Sequence, residues 1–136
     1  MTDAEILQEL KANHGISEDF RLSRGKNDPF DAYNDKAILE FKYRSSNWDE
    51  FYIEIHKIAV NYHIAEKTGR QFHFVIMTKD NVYTWNITEK VNKKEISSFE
   101  IIALPYNQQD GKNIKVNKLV TKLKTSESFR RKRVKN

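Results

Sequence analysis

Hydrophobic and polar residues alternate along residues 37–44, which is the pattern of a β-strand. Successive side chains of a strand point to opposite faces of a sheet, so one face of this segment is apolar and the other is charged. The first face carries Ala37, Leu39, Phe41 and Tyr43, and the second carries Ile38, Glu40, Lys42 and Arg44. The pair Asn34-Asp35 favours a two-residue turn, because both residue types tolerate positive φ. The sequence therefore predicts a β-hairpin over residues 28–44.

Helical and strand periodicities alternate along the rest of the chain. A first helix is predicted from about residue 3 to 13, with Thr2 and Glu5 as a capping box. A long helix from about residue 48 to 68 has apolar residues on more than one side, and we expect it to cover the apolar face of the hairpin. Further strands are predicted over residues 19–25, 71–78, 82–88 and 99–104. This order predicts an α/β fold with a central mixed β-sheet flanked by helices.

Length and composition favour one globular domain. The chain has 136 residues, of which 38% are hydrophobic and 32% are charged. We expect a single domain over residues 1–125 and a basic tail over residues 126–136. The absence of cysteine excludes disulfides and cysteine-based zinc sites. No apolar run approaches the ~18 residues of a membrane span and the first residues lack a signal-peptide pattern, so the cytoplasm, or the host cytoplasm for a viral protein, is the expected compartment.

Positive charge is concentrated at the C-terminus. Residues 111–136 contain 10 lysines and arginines and one acid, whereas residues 1–110 contain 14 basic and 18 acidic residues. A basic cluster of this kind is typical of a segment that binds nucleic-acid phosphates, and the alternative is a solvated tail without a partner. The candidate phosphate contacts are Lys112, Lys115, Arg130, Arg131, Lys132 and Arg133.

The predicted hairpin brings a second acid to the charged face of its longer strand. With Asn34-Asp35 as the turn, Asp31 lies opposite Ile38 and shares the face of Glu40. Asp28 falls on the other face, although a loop of odd length would reverse this assignment. Two carboxylates can hold a hard divalent ion such as Mg²⁺, which activates a water for phosphodiester hydrolysis. Lys42 on the same face can orient that water or stabilise the transition state.

This set of residues resembles the PD-(D/E)XK nuclease superfamily, in which an acid precedes Glu-x-Lys or Asp-x-Lys on a central hairpin. Asp31 matches the first acid, Glu40 the second and Lys42 the lysine. The proline that usually precedes the first acid is displaced by one residue, giving Pro29-Phe30-Asp31. The family core of helix, three strands, helix and strand fits residues 3–87, and the first helix often adds a glutamate, for which Glu9 is the candidate.

The resemblance implies a restriction-endonuclease-like core, with Asp31 and Glu40 as metal ligands and Lys42 and Glu9 completing the catalytic set. It also implies a Mg²⁺-dependent DNA endonuclease in which Mn²⁺ can substitute, acting as a homodimer, with branched DNA such as four-way junctions as a reasonable substrate. Three alternatives stay open: a catalytically inactive nucleic-acid-binding module, a structural or inhibitory partner protein, and an RNA substrate. Lys57 on the long helix could face the cleft or water, and water is the expectation.

Overall fold

The structure is a computed structural model that describes residues 1–25, 28–96, 99–105 and 115–134. Its three α-helices are α1 (Asp3–Asn13), α2 (Ile55–Thr68) and α3 (Ile87–Asn92). Its strands are β1 (Arg21–Leu22), β2 (Ala32–Tyr33), β3 (Ala37–Tyr43), β4 (Glu50–Glu54), β5 (Gln71–Met77), β6 (Asn81–Asn86), β7 (Glu100–Pro105), β8 (Lys115–Lys124) and β9 (Phe129–Lys132). Within this part of the chain, no helix has the length and apolar character needed to cross a membrane.

The centre of the fold is a six-stranded mixed sheet with the order β1-β2-β3-β5-β6-β9. Strands β3 and β5 are parallel, with α2 between them along the chain, and the other pairs are antiparallel. Strand β5 is almost continuously buried, as expected for a central strand covered on both faces. The predicted α/β class with a central mixed sheet and helices is confirmed.

The two faces of the sheet have different covers. Helix α1 packs its Ile6, Leu7 and Leu10 on the face that carries Leu39 and Phe41. Helix α2 lies on the opposite face, where its buried Ile58 joins a cluster that contains Ile38, Phe74 and Trp85. The prediction that the long helix covers the Leu39 face is therefore wrong. Both faces of β3 carry apolar side chains at its start, so the hydrophobic pattern did not determine which helix covers which face.

The segment before α2 is a strand and not the first part of the predicted long helix. Residues Glu50–Glu54 form β4, in which Phe51 and Ile53 are buried while Tyr52 is exposed. This alternation has a period of two, and β4 pairs with β8 and packs Phe51 against the ring of Trp85. The predicted helix start at residue 48 is thus wrong by seven residues, since α2 begins at Ile55. Helix α2 ends as predicted at Gly69, which adopts a left-handed conformation.

Strands β4, β8 and β7 form a second, antiparallel sheet that packs beside α2 on the central sheet. The Trp85 indole nitrogen on β6 donates a hydrogen bond of 2.9 Å to the Lys124 carbonyl at the end of β8. A short 3₁₀ turn over Thr125–Glu127 then leads into β9, which pairs with β6. The residues predicted as a basic tail after position 125 therefore include an edge strand of the central sheet. Strand β9 pairs with β6 through backbone hydrogen bonds, which require no alternation of apolar and polar residues. The hydrophobic pattern of the sequence therefore did not predict β9.

Candidate active site

The hairpin that carries the candidate acids has a register two residues away from the predicted one. Ala32 pairs with Leu39 and Tyr33 with Ile38, so the turn residues are Asp35 and Lys36. The Asn34 side-chain oxygen accepts hydrogen bonds from the Lys36 and Ala37 N–H groups at 2.9 and 2.8 Å, and Asn34 does not adopt positive φ. Asn34 therefore stabilises the turn through its side chain, as an Asx turn does.

A shift of two residues preserves the face on which each side chain lies. That rule applies to Ala32 and Tyr33, where the pairing is observed, whereas Asp31 precedes β2 and lies outside the paired residues. The Asp31 N–H donates to the Leu39 carbonyl at 2.8 Å, so Asp31 and Ala32 both lie beside Leu39 and the regular ladder does not continue to Glu40. The Asp31 charge contributes to raising the pKa of Glu40, so the two carboxyl groups are neighbours, and their position on one face of the sheet stays a prediction.

Asp31 is fixed by hydrogen bonds from three directions. Its carbonyl accepts from the Ser23 N–H at 2.9 Å, and its carboxylate Oδ2 accepts from the Phe41 N–H at 2.7 Å. Two residues earlier, the Pro29 carbonyl accepts from the Asn61 side-chain amide at 3.1 Å. Asn61 is fully buried on α2, so the helix anchors the loop that presents Asp31. The sequence analysis did not identify Asn61.

Glu40 is a buried carboxylate contacted by two lysines. Its residue is only 3% exposed, and its Oε1 lies 3.7 Å from Lys42 Nζ and 3.5 Å from Lys57 Nζ. Burial and then the nearby Asp31 charge raise the pKa of Glu40 to about 7, although the two lysines act in the opposite direction. Lys57 therefore faces the cleft, and the expectation that it faces water is wrong.

A second carboxylate from α1 approaches Asp31. Burial raises the pKa of Asp3, and the charge and hydrogen bonding of Asp31 raise it further, while Lys42 lowers it. Asp3 and Asp31 line a pocket of about 310 Å³ together with Ser23, Asp28 and Phe30. Asp28 thus lies in one pocket with Asp31, because it belongs to the loop before β2 and not to the hairpin itself. Its carboxylate accepts a short hydrogen bond from the Ser23 hydroxyl.

Glu9, the predicted additional acid, has other partners. Its carboxylate accepts hydrogen bonds from Arg133 Nε at 2.7 Å and Nη2 at 2.6 Å, and it lies 3.6 Å from His14 Nε2. The Arg133 hydrogen bonds contribute most to lowering the pKa of Glu9. The residue of α1 that reaches Asp31 is Asp3, which stands at the helix start, whereas Glu9 lies nearly two turns further along the helix.

The basic residues of β9 are divided between the two faces of the sheet. Successive pairings place Lys42, Ile76, Tyr83 and Arg130 in one row across β3, β5, β6 and β9. Arg130 and Lys132 therefore share the face of the candidate site, and both are exposed. Arg131 and Arg133 lie on the α1 face, where Arg133 also donates to the Thr78 carbonyl at 3.0 Å. These residues do not form the single cluster that the sequence predicts.

The two remaining phosphate-contact candidates lie apart from β9. Lys115 is exposed at the start of β8 in the second sheet. Lys112 lies outside the described residues. Of the six basic residues predicted to contact phosphate, Arg130 and Lys132 are the pair whose strand positions share the face of the candidate site.

The donor atoms at the hairpin suit a hard divalent cation. Asp31 precedes β2 and Glu40 lies on β3, so both can supply carboxylate oxygens, and Mg²⁺ is usually held by one or two carboxylates together with waters. Burial and then the Asp31 charge keep the pKa of Glu40 raised despite the two lysines, and a bound cation would favour the ionised carboxylate. Among the described residues, no group of three or more histidine, cysteine, aspartate and glutamate side chains has an arrangement that could hold a metal ion.

No protein-family model, no curated protein and no solved structure matches this chain.

Proposed function

We propose that this protein is a metal-dependent endonuclease that hydrolyses phosphodiester bonds of DNA. The observation that carries the proposal is the buried Glu40 carboxylate, which is near the charge of Asp31 and contacts both Lys42 and Lys57. The order α1, β1 to β3, α2 and β5 supports a restriction-endonuclease-like core of the PD-(D/E)XK type, with β4 inserted before α2. A parallel β3–β5 pair joined through a helix also fits that core.

In this proposal Asp31 and Glu40 hold Mg²⁺, or Mn²⁺ in its place. Such an ion lowers the pKa of a bound water and offsets charge on the phosphate oxygens. The Lys42 side chain is 40% exposed, so its ammonium group can reach a phosphate in the cleft while it stays near Glu40. It would orient the attacking water or stabilise the charge that grows on the phosphate. Lys57 keeps the Glu40 carboxylate ionised and oriented, and Asn61 holds the loop that presents Asp31.

The charge distribution supports a polyanionic substrate. Arg130 lies in the row of Lys42, three strand spacings or roughly 14 Å away, and Lys132 projects from the same face. Phosphate contacts of this kind position a nucleic acid without reading its sequence. We therefore propose DNA, recognised through its shape, as the substrate; branched DNA and a homodimeric enzyme stay predictions.

The first prediction concerns metal dependence and Lys42. We expect the purified protein to cut plasmid, linear duplex, single-stranded or four-way-junction DNA in Mg²⁺ or Mn²⁺, and not in Ca²⁺ or EDTA. Lys42→Ala should lower the cleavage rate by roughly 10²–10³-fold, because it removes a cation that stabilises the transition state. Lys67→Ala is the matched control, since Lys67 is exposed near the end of α2 and should leave the rate unchanged.

Other outcomes of this experiment identify the alternatives. A wild-type protein that binds DNA in a salt-dependent manner but cuts no substrate in Mg²⁺ or Mn²⁺ would be a binding module with a nuclease-like fold. A protein without salt-dependent binding to any of these DNAs would instead fit a structural or inhibitory partner. The same reactions with RNA substrates in place of DNA determine whether the site accepts ribose or deoxyribose.

The second prediction concerns Lys57, which the sequence alone did not assign to the site. Because Lys57 lowers the pKa of Glu40, Lys57→Met should raise that pKa and move the acidic limb of the cleavage pH profile to higher pH. A rise of one unit from a pKa of about 7 would lower the ionised fraction at pH 7, and with it the rate, by roughly fivefold. Lys67→Met on the same helix is the control. An unshifted profile in Lys57→Met would show that Lys57 has no role in ionising Glu40.

A further inference from the structure

A second pocket lies on the face of the central sheet opposite Glu40. It has a volume of about 420 Å³ and lies between α1 and β9, over the apolar side of β3, β5 and β6. Leu10, Ile16, Phe20, Leu39, Val75 and Val82 give it a mainly apolar lining. Leu39 and Glu40 are neighbours on β3 with side chains on opposite faces, so the two sites are separated by the sheet itself.

One buried polar side chain in this pocket makes no hydrogen bond within the described part of the chain. His14 is only 6% exposed, and neither of its ring nitrogens makes a hydrogen bond. The nearest carboxylate oxygen, Glu9 Oε2, is 3.6 Å from His14 Nε2, beyond hydrogen-bond distance, and already accepts from Arg133. Buried polar side chains are nearly always hydrogen-bonded, so an unpaired imidazole facing a pocket indicates a site for a ligand atom.

A cation stands beside this histidine. Arg131 lines the same pocket, and among the described residues its guanidinium forms no ion pair. It lies 5.1 Å from the centroid of the Phe129 ring, which is 63% exposed. Burial lowers the pKa of His14, the Glu9 carboxylate acts in the opposite direction, and the charges of Arg131 and Arg133 lower it further; a neutral imidazole can donate or accept.

We propose that this pocket binds a small apolar molecule with one carboxylate group. The apolar body would occupy the lining around Leu39 and Val75, and the carboxylate would bind Arg131 with His14 as a second hydrogen-bond partner. A volume of about 420 Å³ is within the range of small-ligand sites, and a few polar groups in an apolar lining are typical of them. An unpaired guanidinium selects an anion over a neutral or cationic head group. This site is independent of the proposed nuclease activity.

The test uses three probes with the same apolar chain, octanoate, 1-octanol and octylamine, with the full chain in EDTA. Binding is followed by calorimetry and by the NMR signals of the His14 ring and the Ile16 methyl groups. We expect octanoate to bind saturably and at least about tenfold more tightly than octanol, since a charge-assisted hydrogen bond contributes roughly that factor. Octylamine should bind more weakly than octanol.

Two neighbouring arginines provide the matched variants. Arg131→Gln should weaken octanoate binding by about tenfold and remove the preference over octanol, whereas Arg130→Gln, on the other face of β9, should change neither. Both residues are exposed, so neither change should impair folding. The proposal is overturned by a lack of saturable octanoate binding, by an affinity that Arg131→Gln leaves unchanged, or by NMR shifts confined to residues outside the pocket.

Discussion

Glu40→Gln is expected to abolish cleavage and at the same time stabilise the metal-free protein. The cleavage rate in Mg²⁺ should fall by at least roughly 10³-fold, because an amide cannot replace the charge of the buried carboxylate at the centre of the site. In EDTA at pH 8, the free energy of unfolding should rise by about 1–3 kcal/mol. A gain of stability on loss of function is a recurrent result at sites that bury charge for catalysis.

The sign of the stability change follows from the two pKa values of Glu40. The folded-state pKa is about 7 and the reference value is 4.5, so the folded protein binds more protons than the unfolded chain between these values. Wild-type stability therefore falls as pH rises from about 4.5 through 7, and stays lower above 7. Glutamine does not ionise, and the advantage of Glu40→Gln should vanish near pH 4. The two lysines lose a partner in the variant, which keeps the gain below the full ~3.4 kcal/mol of the pKa difference.

Urea unfolding of wild type and Glu40→Gln at several pH values measures the stability change. The cleavage assay in Mg²⁺ measures the loss of activity. Glu18→Gln is the control, because Glu18 is exposed and stands before β1, away from the hairpin. It removes one negative charge without changing a buried group, so neither stability nor cleavage should change. Equal pH dependence in wild type and Glu40→Gln would contradict the buried state of Glu40, and full cleavage by the variant would contradict its role in the site.

The hairpin shows which parts of the candidate site can be predicted from a short stretch of sequence. Alternation along β3 was enough to place Glu40 and Lys42 on one face, because the strand period depends on the backbone alone. The register was predicted two residues away, since an Asx turn at Asn34 and a turn with positive φ differ little in residue preference. Asp31 lies outside the paired residues, so parity does not determine the face of its side chain. The α/β class followed in the same way from the order of the periodic segments.

The rest of the site depends on contacts between distant segments. Lys57 reaches Glu40 only because α2 lies on the charged face of β3, and the apolar pattern of the helix fitted either face. Asp3 lies near Asp31 because of where α1 packs on the sheet. The same placement of the helix brings Glu9 to Arg133. Lys57 and Asn61 are four residues apart, so both project from the same side of α2. This spacing is the one local signal that could have placed the two residues together.

Arg133→Met is expected to lower the free energy of unfolding by about 2–3 kcal/mol. Arg133 joins the end of β9 to α1, because it binds both oxygens of Glu9 and donates to the Thr78 carbonyl. The side chains of Arg133 and Glu9 are only 18% and 16% exposed, so methionine leaves a poorly solvated carboxylate without its partner. Urea unfolding at pH 7 in EDTA measures the loss, and Lys132→Met, an exposed neighbour on the other face of β9, should change stability by less than about 0.5 kcal/mol.

The pH dependence and a double-mutant cycle separate this ion pair from a general packing effect. Since Arg133 lowers the pKa of Glu9 below 4.5, the stability that the pair provides is fully present above pH 4.5 and is lost as pH falls through the lowered pKa. The deficit of Arg133→Met should therefore shrink in acid. Glu9→Gln should cost less than Arg133→Met, and the double variant should lose less than the two single changes together, because each removes the same interaction. Additive losses with no pH dependence would mean that Arg133 stabilises the fold through its aliphatic chain alone.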